Sequence, residues 1–558
     1  MDNKLPSIKW ITSTLVLVAT VIGVYYFYKN KNKNNQTSNN VRFIEKLADQ
    51  TDSQINEANN ILQKRRDEAL LIKIKGNEFF NLNDFENAIK QYEMAINICP
   101  LQFIRDHAVL YRNKALALNR LENNAEALNE VNKALEILPQ YPTAFDTRSK
   151  IFETLGKLQE ALFDITAAVT FDSTDKSDSV DRMDNIVKNI AIERVKEEIM
   201  KEPVLISEKE ITKYFKAFID DPFPSSLNID IQDSENNQSL SRCIKLFIAG
   251  QYSTCFQQVQ EILQTIDEIN SKNISQLHLL RGTFYLLSCR EELALKDFSR
   301  VIENSNSKPS EKVNAVIKRA TILLTENNSL NIEEVFKEAL DINPNCADIF
   351  YHRGLFHEQS GQYKAAIDDF QKALELNSEH LLASVHNVFN EYWLTYPQHG
   401  KSCFDQFENL IQTHPNSSEV QQMYIKVLMH SGHCDLAENI VDKLLLIDRD
   451  SGSVMNFIAD IKFLFNKLPE ALALLERAIE KDPKHADSYY LLAVILIKTG
   501  ELEKAIEMLE KAIKYARNRQ TMRKYIEIKE GFAAQLNVSR TFDIPIKDVI
   551  RHVSQGKI

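Results

Sequence analysis

The sequence predicts an all-α fold, a superhelical solenoid of about eleven stacked helix pairs preceded by an N-terminal transmembrane helix. Three observations carry this expectation. Only 13 Gly and 14 Pro occur in 558 residues, roughly a third and a half of average usage, too few turn residues for a β or glycine-loop architecture. A small residue followed four positions later by an apolar one recurs with a period near 34 residues, and such a period is the mark of stacked two-helix units. Pro100, Pro139, Pro344, Pro415 and Pro483 fall where the second helix of a pair must stop, because proline has no N–H to continue the ladder.

The first element is residues 1–29. Trp10 to Tyr28 carries no charge over nineteen residues, about 28 Å as a helix, just enough to span a bilayer. The aromatic group Tyr25, Tyr26, Phe27 and Tyr28 ends the run where Lys29, Lys31 and Lys33 begin, as interfacial residues do. A cleaved signal peptide would end in a small-x-small site, whereas bulky aromatics and lysines read as a retained anchor. Lys29, Lys31, Lys33 and Arg42 outweigh Lys4 and Lys9, which predicts a cytosolic C-terminal bulk with the N-terminus across the membrane. Residues 30–68 follow as an asparagine-rich tether and a lead-in helix, since NKNKNNQTSNN at 30–40 has nothing to bury.

The repeats organise the rest. Residues 69–102 carry Gly76, Phe79, Ala88, Tyr92, Ala95 and Pro100, the small–aromatic…A-x3-F…P pattern of the tetratricopeptide (TPR) repeat. With the residue that starts A-x3-F as marker, the series runs Ala88, Ala127, Ala161, then after a gap Cys255, Ala294, Ile332, Ala366, Cys403, Ala437, Ala471 and Ala505. The position four on is apolar in every copy, from Tyr92 and Val131 to Leu475 and Leu509. One pair cannot hide its apolar stripe alone, so neighbours stack, and small residues such as Gly76, Ala115, Gly282, Gly354, Ala459 and Ala493 let the paired helices approach. The periodicity lapses in a charged linker at 175–240, which separates an N-terminal domain of three repeats, 69–174, from a C-terminal domain of eight, 241–517. A capping helix and tail occupy 518–558.

Composition excludes several functions. Lys+Arg 67 against Asp+Glu 78 leaves a net charge of −11, which repels phosphate backbones, so no nucleic-acid partner is expected. Seven scattered cysteines without a CxxC form neither a disulfide framework nor a zinc module, and Cys243, Cys255 and Cys403 read as small core residues. No Walker loop, GxSxG or HExxH is present, so no catalytic residue and no cofactor are assigned. His430, His433 and Cys434 lie at a turn between repeat helices without a fourth ligand, and no metal site is assigned. Binding, not catalysis, is the expected class.

Anchor, basic flank, three repeats, charged linker and eight repeats together resemble the large TPR import receptor of the mitochondrial TOM translocase. Three stretches carry the resemblance beyond general TPR positions: GKLQEALFDITAAV at 156–169, ITKYFKAFIDD at 211–221 and DIFYHRGLFHEQSGQYKAAIDDFQKALELN at 348–377. The resemblance implies a single-pass outer-membrane receptor, its N-terminus in the intermembrane space. It further implies an N-terminal domain that docks the acidic C-terminal tails of cytosolic Hsp70 and Hsp90, a C-terminal groove for hydrophobic preproteins, and delivery to the TOM translocase core. The competing expectation is a TPR co-chaperone or scaffold tethered to the endoplasmic reticulum or a plastid envelope.

A terminal carboxylate beside an acidic side chain offers only acceptors, so a site for such tails needs converging cationic and amide donors. Lys73 and Asn77, one turn apart in KIKGN, and Asn113 in YRNKA match the family's first positions. The third repeat departs from the family pattern of a Lys four residues before an Arg followed by another Arg. Here it reads Thr143, Thr147 and Arg148. One residue is about 100° around a helix, so Arg148 is expected to contribute peripheral attraction at most.

Overall fold

The structure, a computed structural model, describes residues 38–172, 177–219, 221–222, 235–265, 274–326, 330–396 and 400–554. The expected membrane span, Trp10 to Tyr28, lies outside the described residues, and no described helix is long and apolar enough to cross a membrane. Among these residues the fold is all-α, with eleven antiparallel helix pairs. The first pair is the end of the Ser38–Asn81 helix with Phe85–Ile98, and the last is Ala486–Thr499 with Leu502–Lys514.

One local geometry repeats at a fixed distance from each marker. Asn83, Glu122, Gly156, Gly250, Cys289, Gly361, Gly432, Asn466 and Gly500 all have positive φ, and each stands five residues before its marker. This left-handed residue reverses the chain between the two helices, which is why glycine and asparagine dominate the position. Next, the second helix starts and buries the marker: Ala88, Ala127, Ala161, Cys255, Ala294, Ala366, Ala437 and Ala471 have 0% exposure. The apolar residue four on is equally hidden, Tyr92, Phe298 and Phe370 included.

The small residue of the first helix is small for a measurable reason. A Cβ on Gly76 would lie 2.6 Å from Tyr92 Cε1, on Gly282 2.7 Å from Phe298 Cε1, and on Gly354 2.8 Å from Phe370 Cε1. The ring of the second helix thus rests on bare backbone of the first. Where the opposing residue is branched and aliphatic, as with Val131 and Ile165, the small positions are Ala115 and Ser149, both fully buried.

The chain forms two compact units, residues 1–186 with 537–558, and residues 187–536. In the first, Phe542 from the end of the chain meets Phe171 edge-on at 4.9 Å between ring centroids and stacks on Phe163 at 6.3 Å. In the second, part of the charged 175–240 stretch, expected to be linker, runs through the core. Leu205, Ile206, Ile211, Phe215 and Phe218 are each at most 6% exposed, and each such side chain contributes roughly 1.5–3 kcal/mol. The Glu208–Lys216 helix lays Ile211 and Phe215 against Phe247, Val259 and Phe284. Phe218 packs beside Val313, Ile317 and Phe336. Polar ties run the same length: Ser207 donates to Asp482, Lys209 to the Asp450 carbonyl, and the Ile219 N–H to Asp348 Oδ1 at 3.1 Å.

Candidate functional site

Three first helices of the N-terminal unit bring the polar residues together. They are the end of Ser38–Asn81, then Ile104–Arg120 and Pro142–Thr154. The Tyr92 hydroxyl donates to Asn77 Oδ1 at 2.8 Å, and Asn113 Nδ2 donates to the same oxygen at 3.2 Å. Arg112 Nη1 donates to Asn113 Oδ1 at 3.2 Å, and Arg112 Nε to Thr147 Oγ1 at 2.9 Å. The Thr147 hydroxyl in turn donates to the Thr143 carbonyl at 2.8 Å. A continuous polar row therefore links Asn77, Asn113, Arg112 and Thr147 across the three helices.

The row is lopsided in hydrogen-bonding capacity. Asn77 Oδ1, Asn113 Oδ1 and Thr147 Oγ1 each accept from within the row. The groups left without a partner among the described residues are donors: Asn77 Nδ2, the three remaining N–H groups of Arg112, and the Lys73 ammonium one turn away. Burial pushes the Tyr92 hydroxyl up to about 12, against the charge of Arg112, so it stays a neutral donor to Asn77. Such a surface offers hydrogen bonds and positive charge and asks for acceptors, as carboxylates are.

The four residues singled out from sequence fare differently. Asn77 and Asn113 are in contact, and Lys73 shares a helix with Asn77. Arg148 is engaged elsewhere: its Nε and Nη2 each lie 2.7 Å from an oxygen of Asp164, and its Nη1 donates to Asn132 at 2.8 Å. That pairing belongs to the repeat. Arg281 with Asp297 and Arg353 with Asp369 form the same two-pronged contact, always thirteen residues before and three after the marker. Arg148 ties the two helices of its own pair.

Arg112 was not singled out from the sequence, although a signal for it exists. It stands fifteen residues before Ala127, as Lys73 stands fifteen before Ala88, so the two cations occupy one register of consecutive repeats. Histidines and cysteines outside this row have structural surroundings. His430 Nδ1 is 2.8 Å from the Tyr392 hydroxyl, and His352 stacks on Phe218 at 4.2 Å. All cysteines but Cys434 are buried, and all are free thiols.

The C-terminal unit holds a cavity of about 760 Å³. One wall is the polar face of the Glu208–Lys216 helix, with Lys213 and Lys216, and another is apolar, with Leu382, Val385 and Met423.

Family models of the tetratricopeptide repeat match residues 347–380 and 464–524. The chain is 27% identical to the human mitochondrial import receptor subunit TOM70 over 492 residues, 86% of this chain and 81% of that protein. Among solved structures it is similar to yeast Tom70, with 21% identity, a TM-score of 0.49, and coverage of 87% of this chain and 99% of that one. The first TPR of Spaghetti (RPAP3), solved with the HSP90 peptide SRMEEVD, is 27% identical across 22% of this chain and 95% of its own, with a TM-score of 0.20.

Proposed function

We propose, from the premise that this chain belongs to the Tom70 family of mitochondrial import receptors, that it docks cytosolic Hsp70 and Hsp90 and receives hydrophobic preproteins for the translocase. The observation that supports chaperone docking is the donor surplus of Lys73, Asn77 and the row behind them. A peptide ending in an acidic residue supplies two carboxylates, and charge-assisted bonds to them are worth about 1.5–3 kcal/mol each. The three-helix site reads the chain terminus, and the C-terminal unit, with its cavity lined by lysines, carboxylates and apolar side chains, takes the preprotein. The reading is of a binding protein in the outer membrane, anchored at its N-terminus, with its bulk in the cytosol.

The peptide SRMEEVD and its C-terminal amide, titrated against the full-length chain, test the docking role. The free acid should bind at least ten-fold more tightly. Equal affinity for both forms would rule out recognition of a terminal carboxylate. Protease treatment of intact mitochondria tests the placement, because the repeats should be removed while matrix proteins survive.

A further inference from the structure

The third repeat presents Thr143 and Thr147 where the family pattern places a Lys and an Arg, and a receptor of acidic tails without those cations is short of positive charge. The structure shows where a cation stands. Arg112, on the neighbouring helix, reaches across to Thr147 and is held there by Nε–H donation at 2.9 Å. Its Nη1 is held at 3.2 Å by Asn113, so the guanidinium plane is fixed by two helices at once.

We propose that Arg112 is the second carboxylate-binding cation of this site, taking from the second repeat the role the family pattern gives to the third, and that it sets specificity for a dicarboxylate chain terminus. The inference rests on the chaperone-docking reading and names its residue. Three features support it. Thr147 is 1% exposed, and its hydroxyl accepts from Arg112 and donates to Thr143, so this position serves as the anchor of the cation. An arginine side chain at 147 would compete for the space and repel Arg112, which makes the Thr and the Arg one paired solution. Next to them, Thr143 Oγ1 is buried with no hydrogen-bond partner among the described residues, a polar atom left over at the end of the row. Finally, two of the five guanidinium N–H groups are used in positioning and three remain, enough for a forked contact with a carboxylate. Lys73 and Arg112, in equivalent registers, then hold the two carboxylates of the terminal residue, with Asn77 Nδ2 between them.

The test uses the full-length chain with SRMEEVD as free acid and amide. Arg112→Ala should weaken the free acid at least ten-fold and bring its affinity close to that of the amide. Adding Thr147→Arg to Arg112→Ala should recover most of the loss, because the cation returns from the third helix. Adding Thr147→Arg to the unaltered chain should give little gain. Circular dichroism and thermal unfolding of each variant establish that it is folded, and the rescue provides a second measurement if Arg112→Ala alone unfolds. Undiminished free-acid preference in folded Arg112→Ala would overturn the role of Arg112 while leaving the docking reading intact. Equal binding of acid and amide by the unaltered chain would overturn both.

Discussion

The Lys318 ammonium lies 3.1 Å from Asp221 Oδ2, and both side chains are buried in the C-terminal unit. The same ammonium is 5.1 Å from the ring centroid of Phe215 and 4.9 Å from that of Phe218, and 3.1 Å from Thr283 Oγ1. One charge thus gathers the end of the ITKYFKAFIDD segment and pins it inside the helix pairs. Burial lowers the pKa of the lysine, and Asp221 opposes that shift.

Breaking this pair should be costly. Lys318→Ala leaves the buried Asp221 without its cation, and the expected loss is about 3–5 kcal/mol in the C-terminal unit. Lys318→Met with Asp221→Leu should lose far less, because no buried charge is stranded. Two units do not give one meaningful melting temperature, so hydrogen exchange at residues 205–219 is the direct measurement. Faster exchange there in the single variant than in the double variant is the expected outcome.

Acid should loosen the same region. Burial pushes His352 down to about 3, with the charges of His380 and Lys318 adding to the effect and the Ala217 backbone opposing it. His380 is pushed down to about 4, mainly by burial. Unfolded, both imidazoles take up a proton near pH 6.5. The unfolded chain therefore binds more protons between about pH 6.5 and 4, so stability is full above 6.5 and falls as the pH drops through this window, by at most about 1.4 kcal/mol per pH unit for each histidine. His352→Phe keeps the stack on Phe218 and removes one proton site. The denaturant midpoint of its C-terminal unit should fall less than that of the same unit in the unaltered chain between about pH 7 and pH 5.

Gly76→Ala tests the close approach of paired helices. The new Cβ would meet the Tyr92 ring at 2.6 Å, and such overpacking costs about 1–3 kcal/mol. Because Tyr92 also donates to Asn77, the displaced ring should weaken peptide binding too. Unfolding and SRMEEVD titration of one sample read both effects.

Arg148→Ala should separate stability from binding. Asp164 is 1% exposed and, with burial raising its pKa against the pull of Arg148, it loses its partner. A destabilisation of about 3–5 kcal/mol is expected, while the preference for free acid over amide persists in the folded protein. A lost preference at unchanged stability would return Arg148 to the binding site.

Glu122 holds φ 60° on an exposed turn, where an L side chain is strained. Glu122→Gly relieves that strain at some entropic cost, with a net gain of about 0.5–1 kcal/mol expected in the denaturant midpoint of the N-terminal unit.

The amino-acid sequence by itself determined the repeat. A period near 34 forces apolar positions onto fixed helix faces, so the buried markers, the glycines under Tyr92, Phe298 and Phe370, and the number of pairs were all legible, since each depends only on neighbours one repeat apart. Lys73, Asn77 and Asn113 were legible as residue types in a register. Tertiary structure alone decided what lies off the period. The 205–219 stretch reads as a charged linker because its lysines alternate with Ile211, Phe215 and Phe218, and only packing against helices about 30 to 130 residues away reveals which face is inward. Arg112 and Arg148 likewise look equivalent as exposed cations one helix apart. Which of them joins the row of Asn77 and Asn113 depends on whether Thr147 or Asp164 lies within reach of the guanidinium, and such a distance is set by how the helices stack, not by the order of residues along any one of them.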